Sequence, residues 1–243
     1  MLSFPLGPSE VVTVFAVVAV GSSVQASVGF GLGLIAAPVL LLVDAQLVPG
    51  PLMASGIALT VLVAYRERAA IDLVGLRFAF GGRVLGTLLA AAVLTSISQR
   101  AFDLLFGTLV LVAVALAASG LSVSPSRGRA AAAGALSGFM GTTSSIGGPP
   151  MALLYQGQGG SRLRATLSGY FVLGALFSIA VLAAIGRYGA DEVALTACLV
   201  PAVLAGFIAS RWLRGYADRS GVRPLVLGLS ACSAVAVLVR ALA

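Results

Sequence analysis

Two polar, glycine-rich stretches interrupt long apolar segments, and they occur at matching places in the two halves of the chain. The first covers residues 21–31, GSSVQASVGFG, and the second covers residues 141–150, GTTSSIGGPP. In a membrane, backbone that leaves the helical conformation is tolerated only where protein or a water-filled cavity surrounds it. A matched pair of such breaks therefore indicates a binding site inside a membrane transporter.

The composition indicates an integral membrane protein with little left over for a soluble domain. Of the 243 residues, 59% are hydrophobic and only 9% are charged, whereas a soluble domain averages about 25% charged residues. The net charge of +7 comes from arginines spread over short loops, which suits orientation in a bilayer better than binding to nucleic acid. The chain has no His and only two Cys, so the sequence predicts no metal site and no cofactor.

The apolar segments fall on either side of a polar linker. This linker, residues 122–129, separates a predicted first repeat at 1–121 from a second at 130–243. Short motifs recur in the same order in both halves, such as Ser55-Gly56 and Ser168-Gly169, which indicates an internal duplication. The eight apolar segments cover residues 11–43, 47–65, 73–95, 101–121, 130–156, 165–186, 192–210 and 224–242.

The loop arginines discriminate between two topologies. If all eight segments cross the membrane, seven arginines fall on each side, and the positive-inside rule assigns no orientation. If segments 11–43 and 130–156 are hairpins that enter and leave on one side, eleven arginines share one side and three the other. We therefore predict an all-α polytopic membrane protein with two inverted repeats, each made of one re-entrant helical hairpin and three transmembrane helices. Eight plain transmembrane helices are the alternative.

The lengths of the hairpin arms place the polar tips inside the membrane. From Ala130 to Met140 the chain has eleven residues, which make about 16 Å of helix at about 1.5 Å per residue. This arm would reach about halfway through a hydrocarbon core that is about 30 Å thick. The two tips are therefore expected to lie near the midplane.

The two tips are predicted to form an anion site. Pro149 and Pro150 suit the first turn of a new helix, whose N-terminus would present free N–H groups and a partial positive charge. For any single glycine the alternative is close helix packing, as in Gly82-x-x-x-Gly86. The candidate substrate-binding residues are Gln25, Ser27, Gly29, Phe30 and Gly31 in the first tip and Gly141, Thr142, Thr143, Ser144, Ser145, Gly147, Gly148 and Pro149 in the second.

Arg83 is the remaining candidate, because it is the one charge well inside a predicted span. A central arginine costs several kcal/mol unless it faces a cavity or a partner. No carboxylate of the sequence lies at a similar depth, and Asp72 is eleven residues away. An anionic substrate is therefore the natural partner, with capping of tip carbonyls or snorkelling to the interface as alternatives. The matching place in the second half, near Val203, has no arginine.

The residues of the two tips resemble the TauE/SafE sulfite-exporter family of membrane proteins. The most specific similarities are Gly29-Phe30-Gly31 with the following Ala37-Pro38, and Gly138-Phe139-x-Gly141 through Gly148-Pro149. The resemblance covers nearly the whole chain. It implies two homologous halves, the glycine–proline tips as substrate site, and transport of small sulfur-containing anions such as sulfite, sulfoacetate or other organosulfonates.

The expected function is therefore export of a small sulfur anion by alternating access, with the anion held between the two tips near the midplane. An anion channel and a membrane scaffold or receptor without transport are the alternatives. An enzyme is not expected, since Ser144 and Ser145 have no general base beside them.

The expected location is the bacterial inner (plasma) membrane, with the arginine-rich loops in the cytoplasm and both termini outside. The lipid bilayer and the transported anion are the only partners that the sequence predicts, and the oligomeric state stays open.

Overall fold

A computed structural model describes the backbone of residues 7–217 and 222–242 and their side chains except those of 213–226. Within these residues the chain is all α-helical, as predicted, with ten α-helices and two short 3₁₀ turns. The helices are α1 (Pro8–Val28), α2 (Leu32–Val43), α3 (Gly50–Arg66), α4 (Leu73–Ser96), α5 (Gln99–Ala118), α6 (Arg127–Ser144), α7 (Gly148–Tyr155), α8 (Gly160–Ala184), α9 (Ala190–Ala217) and α10 (Val222–Leu242).

Helix length and composition confirm a polytopic membrane protein. Within the described residues, six segments are long and apolar enough to cross a bilayer, and they belong to α1, α3, α4, α5, α8 and α9. Helix α2 is apolar but short, as expected for one arm of a hairpin. Helix α6 is 18 residues long and is rich in Gly, Ala, Ser and Thr, which suits burial among other helices better than contact with lipid.

The first break is shorter than the sequence predicted. Helix α1 continues through Val28, and only residues 29–31 leave the helical conformation. Gly29 has φ 105° and Gly31 has φ 138°, a left-handed region that glycine enters without the steric cost of a side chain. The polar residues before them remain helical, and a serine hydroxyl in a helix can bond the carbonyl one turn back. Ser27 does this by donating to the carbonyl of Ser23 at 2.8 Å.

The second break is confined to residues 145–147. Helix α6 runs through Ser144, so its 18 residues make an arm of about 27 Å where the sequence predicted about 16 Å. Ser145 ends the helix with φ 63°, and Pro149 follows Gly148 in the first turn of α7, as predicted.

The helix connections define two faces of the molecule. On one face, here called the arginine-rich face, the connections 67–72, 119–126 and 156–159 are flanked by Arg66, Arg127, Arg129, Arg162 and Arg164. There the amide of Val123 donates to the carbonyl of Leu153 at 2.9 Å. Tyr155 there donates to Asp72 at 3.3 Å. Both arms of the second hairpin, α6 and α7, therefore meet this face. Arg214, Arg219 and Arg223, which the sequence also assigned to this side, lie outside the described side chains.

The other face, here called the opposite face, contains residues 44–49, 97–98 and 185–189. Arg187 donates to the carbonyl of Leu94 at 2.6 Å, which joins the 185–189 connection to the last turns of α4. The start of α1 reaches the same face, since Val14 and Leu47 line one cleft. The first hairpin therefore begins and ends at the opposite face, and the second begins and ends at the arginine-rich face.

Helix packing follows the same scheme in both halves. Helix α6 packs along α4 as α1 packs along α9, and α7 packs on α5 as α2 packs on α10. The corresponding glycines make corresponding contacts: Gly86 lies on the carbonyl of Ala135, and Gly206 lies on the carbonyl of Ala19. This pairing supports the proposal that residues 1–121 and 130–243 are inverted repeats joined by 122–129.

Candidate functional site

A small cavity lies where the two breaks meet. Gly148 packs against the side chain of Phe30, and Gly33 packs against the backbone of Ser145, so the breaks touch directly. Helices α3, α4 and α8 complete the wall. The lining residues are Gln25, Phe30, Gly31, Leu32, Gly33, Leu34, Leu52, Met53, Gly56, Thr60, Arg83, Gly141, Ser145, Ile146, Gly147, Gly148, Pro149, Phe171 and Ala175.

Arg83 supplies the charge of this cavity. The residue is 2% exposed, and its Nη2 donates to the hydroxyl of Ser178 at 3.2 Å. Its Nε and Nη1 have no hydrogen-bond partner among the described residues. The guanidinium lies 5.1 Å from the centre of the Tyr170 ring, and both of these partners are neutral. A buried guanidinium with unused donors and uncompensated charge requires an anion or water.

Two helix N-termini open onto the same cavity. At the start of α2, the side-chain oxygen of Gln25 accepts a hydrogen bond from the amide of Leu32 at 3.0 Å. This contact leaves the amides of Gly33 and Leu34 within the first turn. Backbone amides there are not paired inside the helix and carry a partial positive charge.

The N-terminus of α7 offers fewer donors. Its first four residues are Gly148, Pro149, Pro150 and Met151, and proline has no N–H group. Only Gly148 and Met151 can therefore donate from this turn. Ser137 of α6 donates to the carbonyl of Gly147 at 2.5 Å, which holds the break against its own first arm.

The family of the chain is decided by a match to the family model described as Sulfite exporter TauE/SafE, which covers residues 14–237. The chain belongs to the TauE/SafE family. This is a family of membrane transporters and not of enzymes, so the match confirms both the resemblance and the non-enzymatic function predicted from the sequence. No curated protein matches the chain, and no solved structure matches it.

In this TauE/SafE chain, Arg83 and eight of the predicted tip residues meet around one cavity. These eight are Gln25, Phe30, Gly31, Gly141, Ser145, Gly147, Gly148 and Pro149. Their meeting follows from the inverted hairpins, because each break is carried into the molecule from a different face.

Five other predicted residues do not line the cavity: Ser27, Gly29, Thr142, Thr143 and Ser144. Thr143 and Ser144 donate to the carbonyls of Phe139 and Met140 within α6, both at 2.8 Å. Gly29 packs against the backbone of Arg164, on the side of the arginine-rich face. The hydroxyl of Thr142 bonds two other hydroxyls, those of Thr87 at 3.1 Å and Ser178 at 2.9 Å.

Several lining residues come from helices that sequence reasoning did not assign to the site. Leu52, Met53 and Gly56 of α3, with Phe171 and Ala175 of α8, form an apolar part of the wall. Their side chains carry no chemistry that singles them out. The one available signal was the matching pair Ser55-Gly56 and Ser168-Gly169, which marks α3 and α8 as equivalent helices.

A charged cluster covers the first break towards the arginine-rich face. Arg164 bonds Glu67 through Nε at 3.0 and 3.1 Å, and Arg66 bonds the same carboxylate at 3.0 Å. Arg66 also donates to the carbonyl of Ala26 at 3.0 Å, and Arg164 donates to that of Ser27 at 3.4 Å. The two arginines thus cap the C-terminus of α1, where cations are favourable.

The described residues that line the cavity include no Asp or Glu. In the same part of the chain, no group of three His, Cys, Asp or Glu side chains is placed to hold a metal ion. The electrostatics of the cavity are therefore set by Arg83 and by the two helix N-termini, and all three favour an anion.

Proposed function

We propose that this TauE/SafE protein exports small sulfur-containing anions, such as sulfite, sulfoacetate or other organosulfonates, and holds them in the cavity between the two breaks. The observation that carries the proposal is the buried guanidinium of Arg83, which lines the cavity and has two nitrogens without a partner among the described residues. An oxyanion supplies the acceptors that these donors lack, and it compensates the charge.

The rest of the wall suits a small anion with an apolar part. Phe30, Leu52 and Phe171 line the cavity and can contact the carbon skeleton of an organosulfonate. The hydroxyl of Ser145 already donates to the carbonyl of Pro49 at 2.7 Å. Recognition of the sulfonate or sulfite oxygens therefore depends on Arg83, the side-chain NH₂ group of Gln25 and the first-turn amides of α2 and α7.

Alternating access is the transport mechanism that we propose. One hairpin enters from each face, so a relative movement of the two halves would open the cavity towards one face while closing it towards the other. In the described conformation the cluster of Arg66, Glu67 and Arg164 covers the first break on the arginine-rich side. This cluster would have to part when the cavity opens towards that face.

Export follows from the membrane potential, whichever face of the protein lies in the cytoplasm. We propose that the protein lies in the bacterial inner membrane with its arginine-rich face in the cytoplasm. An inside-negative potential then favours exit of an anion by about 2.3 kcal/mol per charge per 100 mV. Facilitated export needs no proton-coupling side chain, and the described cavity wall contains no carboxylate.

The proposal predicts that Arg83→Ala abolishes sulfite transport. Sulfite efflux would be measured from proteoliposomes, and sulfite binding would be measured from the shift in melting temperature of purified protein. We expect at least a tenfold loss of affinity, since hydrogen bonds to charged groups are among the strongest in proteins. Arg83→Gln is the second variant, because it preserves more of the side-chain volume if the alanine variant folds poorly.

Arg77→Ala is the matched control on the same helix. Arg77 lies 4.9 Å from the centre of the Phe78 ring and does not line the cavity, so its removal should leave sulfite binding unchanged. Wild-type transport by Arg83→Ala would contradict the role of Arg83. Absence of flux for sulfite and for sulfonates in the wild type would contradict the proposed function, and conductance far above transporter turnover would indicate a channel.

A further inference from the structure

Three hydroxyl groups meet beside Arg83, one each from α4, α6 and α8. Thr142 lies 3.1 Å from Thr87 and 2.9 Å from Ser178, and Thr87 lies 3.4 Å from Ser178. Each of the three residues is 0% exposed. The Nη2 of Arg83 donates to this cluster at Ser178, with a distance of 3.2 Å.

The number of hydroxyl protons determines which residue donates in each hydrogen bond of the cluster. A hydroxyl has one proton to donate and two lone pairs to accept with. Thr142 donates its proton to Thr87, so Ser178 has to be the donor in its 2.9 Å contact with Thr142. The lone pairs of Ser178 are then left to accept from the guanidinium. The chain of hydrogen bonds therefore runs from Arg83 through Ser178 and Thr142 to Thr87.

Such a chain holds the guanidinium without neutralising it. Ser178 occupies one of the five N–H donors of the arginine and adds no charge. A carboxylate in the same place would form an ion pair with Arg83 and would compete with any substrate anion. Hydroxyls bonded in series also polarise one another, and a buried network of this kind fixes the orientation of its members.

We propose that Ser178, itself held by Thr142 and Thr87, is the positioning residue that aims the guanidinium of Arg83 at the transported anion. This inference rests on the proposed function of the cavity. It assigns Thr142 a different role from the one that its place in the polar tip predicted, because Thr142 acts through Ser178 and Arg83 and not by touching the anion.

The test is sulfite affinity of the purified full-length protein, measured by calorimetry. Ser178→Ala removes the acceptor of Arg83, and Thr142→Val removes the link behind it at nearly constant shape. Ser178→Ala should bind sulfite about tenfold more weakly, in line with the loss of a hydrogen bond to a charged group. Thr142→Val should weaken sulfite binding to a smaller extent, because Ser178 then loses the hydroxyl that holds it. Thr142→Ser keeps the hydroxyl and should restore wild-type affinity.

Thr108→Val is the matched control. The hydroxyl of Thr108 donates to the carbonyl of Leu104 within its own helix at 2.8 Å, so its loss tests the general effect of removing a threonine hydroxyl. This variant should bind sulfite like the wild type. Melting temperatures of all variants without ligand would show whether any loss of affinity follows from poor folding.

Ser178→Asp separates positioning from a merely structural role. It keeps an acceptor for Arg83 but supplies a negative charge, so it should abolish sulfite binding while preserving the melting temperature. Wild-type affinity in Ser178→Ala or Ser178→Asp, beside lost affinity in Arg83→Gln, would overturn this inference and leave the proposed function intact. Absence of sulfite binding by the wild-type protein would overturn the proposed function and this inference with it.

Discussion

The side chain of Arg83 reaches its place because the neighbouring helix has a glycine opposite it. A Cβ atom at Gly174 of α8 would overlap with Nε, Cζ and Cδ of Arg83. The clash would involve the flexible end of a side chain and not backbone, so the arginine can move away. Gly174 therefore contributes to the site by leaving space, although it does not line the cavity.

We predict that Gly174→Ala weakens anion binding more than it weakens the fold. The new methyl group displaces the guanidinium from Ser178, which lies 3.2 Å from Nη2, while the gain in helix propensity of about 1 kcal/mol offsets part of the strain. Sulfite affinity and melting temperature of the same preparation would check this. Gly169→Ala on the same helix is the control, since no atom would lie closer than 3.7 Å to its Cβ. Equal sulfite affinity in the two variants would contradict the prediction.

At the scale of single residues, the sequence revealed charge more readily than hydroxyl networks. Arg83 stands out because a charged residue inside an apolar span is costly and rare. Ser178 and Thr87 do not stand out, because Ser and Thr are tolerated in membrane helices by bonding to their own backbone. The sequence likewise does not show whether a hydroxyl faces a cavity or bonds its own helix. Thr142, Thr143 and Ser144 were therefore predicted to bind the substrate, whereas Thr143 and Ser144 bond carbonyls within α6.

Among the helices, α4 and α6 pack closely against each other beside Arg83. Gly82 and Gly86 of α4 lie on the carbonyls of Ala131 and Ala135, while Gly134 of α6 lies on the carbonyl of Ala79 and Gly138 on that of Arg83. The two glycine pairs thus allow the backbones to touch over two turns. Close helix packing, the alternative that the sequence offered for Gly82 and Gly86, is the arrangement that the structure shows.

We predict that Gly86→Ala destabilises the protein. The added methyl group would overlap with the carbonyl of Ala135 and lie 2.8 Å from the amide nitrogen of Phe139, and backbone atoms cannot turn aside as a side chain can. Overpacking of this kind typically costs about 1–3 kcal/mol, so the melting temperature in detergent should fall by several degrees. Gly81→Ala, five residues earlier on the same helix, has open space within 4 Å of its Cβ and should melt no lower than the wild type. A common melting temperature for both variants would refute the packing argument.

The existence of the hairpins was predictable at the element scale, but the exact positions of their breaks were not. Arginine distribution and polar composition indicated where the chain turns back. The turns themselves occupy only residues 29–31 and 145–147, because Gly29, Gly31 and Ser145 adopt positive φ. A conformation of this kind is set by tertiary contacts as well as by residue type, so a glycine-rich stretch marks the neighbourhood of a break and not its ends.

For the molecule as a whole, opposite entry of the two hairpins is the property from which the site follows. Each break is carried inwards from a different face, and Phe30 of one lies against Gly148 of the other. The two halves remain chemically different, because the position in α9 that corresponds to Arg83 of α4 is the buried, uncharged Val203. One cavity with one charge is the result, even though the proposed repeats are structurally alike.

Labelling of introduced cysteines tests both the topology and the orientation. Two exposed residues near the arginine-rich face, Ser124 before the second hairpin and Ser161 after it, would be replaced by cysteine. The third variant, Ser96→Cys, changes an exposed residue near the opposite face. In a background without Cys198 and Cys232, a membrane-impermeant maleimide should label Ser96→Cys in intact cells, because the opposite face is proposed to lie outside. The other two variants should react only after the membrane is opened, since the arginine-rich face is proposed to lie in the cytoplasm.

The pattern of labelling distinguishes every arrangement that the sequence left open. Eight plain crossings would place residues 124 and 161 on opposite sides, because the segment between them would span the membrane once. In the structure, Gly157 instead packs against Ser122, and the amide of Val123 bonds the carbonyl of Leu153 at 2.9 Å, so the two positions must share a side. Labelling of only one of them in intact cells would refute the hairpin, and labelling of both together would keep the hairpin while reversing the orientation. A reversed orientation would turn the arginine-rich face outwards but would leave the direction of transport unchanged, because an inside-negative potential favours exit of an anion in either orientation.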